Sequence, residues 1–136
     1  MSTARIGVIE DDIVARRILQ IALTSLGHHV DVYGRAEDLI AMFAPHTYDV
    51  IISDFSLPGM DGATLLKWIR QSDDEVVLVL LTGSASLEAI KFVLEDCRVD
   101  YLLKPIRPSD LQILLSNALA TTPHPALYHT AARHVG

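Results

Sequence analysis

Two apolar runs in the middle of the chain restrict its fold more than any other sequence feature. Val50 to Ile52 and Val76 to Leu81 contain only apolar residues, and neither run alternates apolar with polar positions. A strand of this kind is covered on both faces, as in a parallel sheet with helices above and below it. The chain is therefore expected to form a parallel sheet and to supply helices for both of its sides.

Short apolar runs alternate with helix-periodic segments along the whole sequence, which is the pattern of an α/β fold. The predicted strands are Arg5 to Ile9, His29 to Tyr33, Val50 to Ser53, Val76 to Leu81 and Tyr101 to Leu103. A segment with apolar residues at helical spacing follows each strand. At this length the economical arrangement is a right-handed, doubly wound fold, in which five helices cover the two faces of a five-stranded parallel sheet.

The chain length of 136 residues is typical of one domain, and we assign residues 1–121 to it. From residue 121 onwards the sequence Thr-Thr-Pro-His-Pro begins a segment with few apolar positions, so residues 122–136 are predicted to be a tail or linker. Three histidines in this segment lie five residues apart and do not share a helical face, which argues against a metal site. They are His124, His129 and His134.

The composition argues against several classes of protein. A formal net charge of -6, with 11 Lys and Arg residues, disfavours a nucleic-acid-binding surface. The single cysteine, Cys97, rules out an internal disulfide and a thiolate zinc cluster, and it is predicted to be a small packing residue. The longest apolar run is too short to span a membrane, and the N-terminus does not resemble a signal peptide. A cytoplasmic protein without direct nucleic-acid or membrane contacts is expected.

Acidic side chains follow two of the predicted strands at their carboxyl ends, where an open α/β sheet binds its ligands. The first strand runs into Glu10, Asp11 and Asp12, and the third ends in Asp54. Three or four carboxylates are expected to converge, and a cation would relieve their mutual repulsion. Oxygen ligands without His or Cys favour Mg²⁺. Asp12 is better explained as a first-turn residue that complements the helix dipole.

A hydroxyl and an ammonium group follow the remaining strands at the same edge. Thr82 ends the fourth strand and Lys104 follows the fifth. A carboxylate nucleophile, a divalent cation, an ammonium group and a hydrogen-bond donor are the groups that phosphoryl transfer requires. Asp54 is the predicted nucleophile because it lies at the centre of this set. Taken alone, Thr82 is also explained as a strand-end residue and Lys104 as part of an exposed loop.

Five motifs, in this order, resemble those of response regulator receiver domains in two-component signalling. They are Val8-Ile9-Glu10-Asp11-Asp12, Asp49-Val50-Ile51-Ile52-Ser53-Asp54, Leu57-Pro58-Gly59-Met60-Asp61-Gly62, Leu81-Thr82-Gly83 and Tyr101-Leu102-Leu103-Lys104-Pro105. The resemblance covers about residues 4 to 120. It implies a flavodoxin-like, CheY-like fold and a phosphoacceptor rather than an enzyme. It also implies that the phosphoryl group comes from a sensor histidine kinase or a histidine phosphotransfer protein.

The same resemblance assigns the metal and phosphorylation sites residue by residue. It implies that Asp54 accepts the phosphoryl group and also binds Mg²⁺. Glu10 and Asp11 are the other acidic ligands, and Ser56 is implied to bind the ion through its main-chain carbonyl group. Lys104 is implied to contact the phosphoryl oxygens.

The resemblance also implies a conformational switch. Thr82 contacts the phosphoryl oxygens and is drawn towards them, and Tyr101 turns inward in response. The movement reshapes the face formed by the fourth helix, fifth strand and fifth helix, through which a homodimer is one expected association. Tyr101 is equally well explained as a packing residue.

The sequence departs from the family pattern before the last strand. Cys97-Arg98-Val99-Asp100 stands where a Gly-Ala pair is usual, which affects the end of the fourth helix and the output face. The active residues are unchanged. Ser56 and Ser84 occupy positions that flank the phosphoryl group in the family and influence its hydrolysis, and small polar residues there leave room for water.

Two alternatives share parts of this site. A Mg²⁺-dependent phosphohydrolase of the haloacid-dehalogenase type also uses an aspartate nucleophile and a lysine. It needs a second aspartate two residues after the nucleophile, where this chain has Ser56. A pseudo-receiver keeps the fold but usually lacks one of the acids or the lysine, all of which are present here. The phosphoacceptor receiver is therefore the preferred interpretation.

Overall fold

A computed structural model describes residues 3–83 and 87–119 of the chain. Strands and helices alternate along it as β1 (Arg5–Ile9), α1 (Ile13–Ser25), β2 (His29–Tyr33), α2 (Ala36–Met42), β3 (Val50–Asp54), α3 (Gly62–Ser72), β4 (Val77–Thr82), α4 (Leu87–Val93), β5 (Val99–Leu103) and α5 (Pro108–Leu119). The strands form one sheet in the order β2-β1-β3-β4-β5. Each neighbouring pair is parallel, so the predicted fold class is confirmed.

Two sequence predictions lie outside the described residues. These are the predicted tail at residues 122–136, with its three histidines, and the position of Ser84. Within the described part of the chain, no helix is long and apolar enough to cross a membrane.

The apolar runs that predicted the parallel sheet form its two central strands. Every residue of β3 and β4 is buried. Successive side chains of a strand point to opposite faces, and β3 follows this rule. Ile51 packs with α2, α3 and α4 on one side of the sheet, whereas Val50 and Ile52 pack with α1 and α5 on the other.

Four strand boundaries differ from the predicted ones. β4 begins at Val77 and not at Val76, and polar residues explain the other three differences. β3 extends to Asp54 and β4 to Thr82, because these polar residues continue the strand pairing of the apolar runs before them. β5 begins at Val99, two residues before the predicted start. The prediction missed this part of β5 because it contains Asp100, a charged residue that is nevertheless buried.

Aspartate side chains cap the helices that follow the two acidic strand ends. Asp12 precedes α1 and accepts hydrogen bonds from the main-chain N–H groups of Val14, at 2.9 Å, and Ala15, at 3.4 Å. Asp61 precedes α3 and accepts one from the N–H of Thr64, at 2.7 Å. Each cap of this kind stabilises a helix by about 1 kcal/mol. Asp12 therefore acts at the start of α1, at the N-cap position and not within the first turn where it was predicted.

Candidate functional site

The strand order brings the predicted site residues to one edge of the sheet. β1, β3, β4 and β5 are consecutive neighbours, so the residues at their carboxyl ends lie side by side. Glu10, Asp54 and Thr82 are all buried there, with 4%, 4% and 3% of their surface exposed. In this fold class, ligands usually bind at the carboxyl ends of the parallel strands, where these polar groups lie.

Three carboxylates form an acidic cluster, which we define as Glu10, Asp11 and Asp54. One oxygen from each can be chosen so that all three lie within 4.8 Å of one another. Two ligands on opposite sides of one Mg²⁺ lie about 4 Å apart, so the spacing is close to that of a single bound cation. Glu10 and Asp54 are buried and Asp11 is exposed, which leaves the cluster open to solvent on one side.

Burial and the neighbouring Asp54 both disfavour the ionised form of the Glu10 carboxyl group. Burial raises the pKa of the Glu10 carboxyl group, and the charge of Asp54 raises it further. A hydrogen bond of 3.1 Å from the main-chain N–H of Asp12 acts in the opposite direction, as does the charge of Lys104. The net pKa is above its usual value. A bound cation would favour the ionised carboxylate and remove this cost.

Lys104 makes a direct ion pair with Asp54. Its Nζ lies 2.6 Å from Asp54 Oδ1, and the Asp54 side chain is 5% exposed whereas that of Lys104 is 42% exposed. The main-chain N–H of Lys104 donates to the carbonyl oxygen of Thr82 at 2.8 Å, which fixes the end of β5 against the end of β4. The ammonium group of Lys104 is thus placed beside Asp54, which is one of the three carboxylates of the acidic cluster.

Thr82 lies on the same edge but is not hydrogen-bonded to Asp54. Its Oγ1 donates to the carbonyl oxygen of Gly83 at 3.1 Å. The strand-end interpretation describes this arrangement, and contact with phosphoryl oxygens stays a prediction.

The loop after Asp54 is held close to the strand ends by main-chain contacts. Phe55 N–H donates to the Leu81 carbonyl at 2.9 Å, and Gly62 N–H donates to the Phe55 carbonyl at 2.9 Å. A Cβ at Gly62 would overlap the carbonyl oxygen of Asp54, so only glycine permits this close approach. Ser56 is exposed in this loop, and its role as a main-chain metal ligand stays a prediction.

Comparison with known proteins identifies the family. A family model described as the response regulator receiver domain matches residues 6–116. The chain belongs to the response regulator receiver family. The DNA-binding transcriptional regulator NtrC of Salmonella typhimurium is 30% identical over 120 residues, which are 88% of this chain and 26% of that protein. The chain thus spans about a quarter of the length of such curated relatives.

Solved structures support the same family. A CheY-like receiver domain protein from Methanospirillum hungatei has a TM-score of 0.80 and 26% identity, over 88% of this chain and 95% of that one. The receiver domain of a sensor histidine kinase from Pseudomonas aeruginosa has a TM-score of 0.76 and 25% identity, over 88% of this chain and all (100%) of that one. Its crystal structure has a magnesium ion coordinated in the active-site cleft.

Tyr101 of this receiver domain is packed into the core. It is 7% exposed and belongs to the apolar cluster beneath α4, and its burial raises the pKa of the phenol to about 12. Lys91 Nζ lies 5.9 Å from the centre of the ring. The packing interpretation describes this position, and the predicted switch stays a prediction.

Two polar features of the receiver were not predicted from the sequence. Asp100 is a buried carboxylate whose burial raises its pKa to about 6, and it makes no hydrogen bond or ion pair among the described residues. Arg16 of α1 donates a hydrogen bond from Nη1 to the main-chain carbonyl of Glu10 at 3.1 Å. The apolar neighbours Val99 and Tyr101 could have signalled that Asp100 is buried. A charged residue on a helix gives no comparable signal, because it usually faces solvent.

Proposed function

We propose that this receiver domain accepts a phosphoryl group on Asp54 from a histidine kinase or a histidine phosphotransfer protein. The observation that carries the proposal is the position of Asp54, which is buried, belongs to the acidic cluster and lies 2.6 Å from Lys104 Nζ. A carboxylate placed between a cation site and a fixed ammonium group has the surroundings of a phosphoryl acceptor.

The transfer follows from the groups around Asp54. One Asp54 oxygen forms a bond to phosphorus while the bond from phosphorus to the donor histidine nitrogen breaks, and the bonding electron pair returns to the imidazole. Lys104 moves from the carboxylate towards the phosphoryl oxygens and offsets their charge. Thr82, at the end of the neighbouring strand, donates its hydroxyl group to the same oxygens and thereby begins the proposed switch through Tyr101.

We propose Mg²⁺ as the cofactor. The acidic cluster offers only oxygen ligands, its oxygens lie within 4.8 Å of one another, and the repulsion between its carboxylates favours a divalent cation. Glu10, Asp11 and Asp54 would hold the ion, with the main-chain carbonyl of Ser56 as a further ligand. When bound, Mg²⁺ neutralises charge on the carboxylates and on the incoming phosphoryl group.

The proposed role is that of a signalling domain and not of an enzyme that turns over a substrate. The output surface is the face of α4, β5 and α5, through which the phosphorylated chain forms a homodimer or contacts its partner. With a net charge of -6, this chain is not expected to contact nucleic acid directly, and it would act in the cytoplasm with its kinase.

The proposal is tested by intact mass spectrometry after incubation with acetyl phosphate. The expected result is one phosphoryl adduct that requires Mg²⁺ and disappears in the Asp54→Asn variant. Asp38→Asn is the matched control, because Asp38 is an exposed carboxylate of α2. A folded protein that binds Mg²⁺ but takes no phosphoryl group from acetyl phosphate or from any phosphorylated kinase would contradict the proposal.

A further inference from the structure

Glu10 is held in place at each of its polar groups. Its main-chain N–H donates to the carbonyl oxygen of Tyr33 at 3.0 Å, at the end of β2. Its main-chain carbonyl accepts the hydrogen bond from Arg16 Nη1 at 3.1 Å. Its carboxylate accepts the N–H of Asp12 at 3.1 Å. Contacts from β2, from α1 and from the loop between β1 and α1 therefore fix both the main chain and the side chain of this residue.

The contact from Arg16 depends on a glycine in the neighbouring loop. A Cβ added to Gly34 would lie 2.6 Å from Arg16 Nη1, which is closer than non-bonded atoms approach. The absence of a side chain at Gly34 thus leaves room for the guanidinium group. The φ angle of Gly34 lies outside the left-handed region, so alanine there would meet the arginine without straining the backbone.

We infer that Arg16 is a positioning residue for the divalent-cation site, and that Gly34 leaves the space in which its guanidinium group makes this contact. This inference rests on the proposed function of the acidic cluster. Arg16 contacts a main-chain carbonyl and no carboxylate of the cluster among the described residues, so it acts by fixing the Glu10 peptide. Groups that orient metal ligands in this way typically contribute 10-fold to 100-fold in metal affinity.

The charge of Arg16 makes the inference easy to distinguish from simple electrostatics. A positive charge beside a cation site repels the cation, so loss of that charge alone would strengthen Mg²⁺ binding. Loss of a positioning contact has the opposite effect, because the Glu10 peptide is then held by fewer contacts in the geometry that the ion needs. The sign of the change in Mg²⁺ affinity therefore separates the two explanations.

The first test compares Arg16→Met with Arg17→Met by calorimetric titration of the full chain with MgCl₂. Arg17 is the matched control, because it is the next residue of α1, is exposed, and within the described residues hydrogen-bonds only Gln20 through its side chain, at 3.3 Å. Arg16→Met is expected to raise the Kd for Mg²⁺ roughly tenfold. Arg17→Met, which removes the same charge, is expected to leave the Kd within about twofold of the wild-type value.

The second test removes the same contact without changing any charge. Gly34→Ala is expected to displace the Arg16 guanidinium and to raise the Kd for Mg²⁺ in the same direction. The Arg16→Met/Gly34→Ala double variant should bind Mg²⁺ no more weakly than Arg16→Met, because both changes remove one interaction. In phosphorylation assays, Arg16→Met should need more Mg²⁺ for half-maximal rate and reach the wild-type maximal rate.

The outcomes separate this inference from the proposed function. Wild-type protein that binds no Mg²⁺ would overturn both. If the wild type binds Mg²⁺ and folded Arg16→Met and Gly34→Ala bind it equally tightly, the positioning role is wrong and the proposed function is unaffected. If circular dichroism shows that Arg16→Met does not fold, the Mg²⁺ affinities of Arg16→Gln and Gly34→Ala test the positioning role instead.

Discussion

Charged side chains are buried at both ends of the sheet, and the two ends differ in how these charges are compensated. At the amino end of the strands, Arg70, Asp73 and Arg98 form what we call the amino-end cluster. Asp73 is 1% exposed, and its carboxylate accepts main-chain N–H groups from His46, Glu75 and Val76 at 2.8 to 3.1 Å. Burial alone would raise the pKa of Asp73, but these hydrogen bonds outweigh it and the pKa is lowered.

The two arginines of the amino-end cluster are also satisfied largely within the protein. Arg70 donates to the carbonyl oxygens of Cys97, Asp73 and Arg98 at 2.7, 3.1 and 3.2 Å. Arg98 Nη2 donates to the carbonyl and carboxylate of Asp74, whereas Arg98 Nη1 is buried without a hydrogen-bond partner among the described residues. At the carboxyl end, by contrast, Lys104 pairs with Asp54, which is one of three clustered carboxylates, and burial raises the pKa of Glu10.

The difference shows which buried charges serve the fold and which are available to a ligand. The amino-end cluster supplies its own donors and acceptors, so a buried carboxylate there stabilises the chain. The acidic cluster brings three carboxylates together beside Lys104, and burial and the charge of Asp54 disfavour the ionised form of Glu10, so a cation would stabilise that form. Substitutions at the two ends should therefore separate activity from stability.

The largest expected effect is on activity, at the carboxyl end. Lys104→Met should lower the rate of phosphorylation by roughly 10²-fold to 10³-fold, because it removes a cation placed to offset charge on the transferred group. Stopped-flow or radiolabel measurements with acetyl phosphate would give this rate. Lys67→Met, an exposed lysine of α3, should leave it unchanged. Similar rates for both variants would remove Lys104 from the mechanism.

A comparably large effect is expected on stability, at the amino end. Asp73→Ala leaves three main-chain N–H groups without an acceptor and should lower the free energy of unfolding by about 3 kcal/mol. Urea unfolding would measure this change. Asp96→Ala is the control, because Asp96 is an exposed carboxylate near the same end of the sheet and should change stability by under about 0.5 kcal/mol. The Mg²⁺ affinity of folded Asp73→Ala should stay at the wild-type value.

Asp100 provides a third case, a buried carboxylate with neither a donor nor a cationic partner in the part of the chain that the structure describes. Its pKa is about 6 in the folded chain and 3.8 in the reference state, so the folded state binds more protons between these pH values. Its contribution to stability is therefore present below about pH 4 and is lost as the pH rises to about 6. Asp100→Asn should raise the free energy of unfolding at pH 7 by on the order of 2 kcal/mol and leave it nearly unchanged at pH 4. Urea unfolding at both pH values measures the two differences, and equal changes would contradict this account.

The smallest expected effect is on the melting temperature, which should change in opposite directions when a buried acid is replaced by its amide at the two ends of the sheet. Glu10→Gln keeps an acceptor for the Asp12 N–H but removes a charge that is costly without a cation, so it should raise the melting temperature in EDTA by roughly 2–4 °C. Asp73→Asn should lower it. Glu10→Gln should also lose most of the stabilisation that added Mg²⁺ gives the wild type. A melting temperature that falls in EDTA would show that the ionised form of Glu10 is not costly without a cation.

The sequence predicted the fold and the composition of the acidic cluster because both depend on position along strands. The apolar runs of β3 and β4 required covered faces, and Glu10 and Asp54 follow strands whose carboxyl ends share one edge of a parallel sheet. The amino-end cluster was not predicted. Arg70 and Asp73 are polar residues at a helix end and a loop, and their sequence pattern is the same as that of residues in solvent.

Contacts through the main chain also escaped prediction. The hydrogen bond of Arg16 to the Glu10 carbonyl depends on the relative placement of α1 and β1 and on the space above Gly34. No local pattern encodes these features. Asp100 was missed for a different reason, since a charged residue type usually indicates exposure to solvent, and this outweighed the signal from its apolar neighbours Val99 and Tyr101.

The most direct test of the central claim is to locate the phosphoryl group itself. After incubation with acetyl phosphate and Mg²⁺, treatment with borohydride reduces an acyl phosphate to the alcohol, and peptide mass spectrometry then finds the modified residue. We predict that Asp54 is converted to homoserine and that Glu10 and Asp11 are unchanged. A phosphoryl group that resists reduction and maps to Ser56 or Thr82 would contradict the assignment of Asp54 as the acceptor.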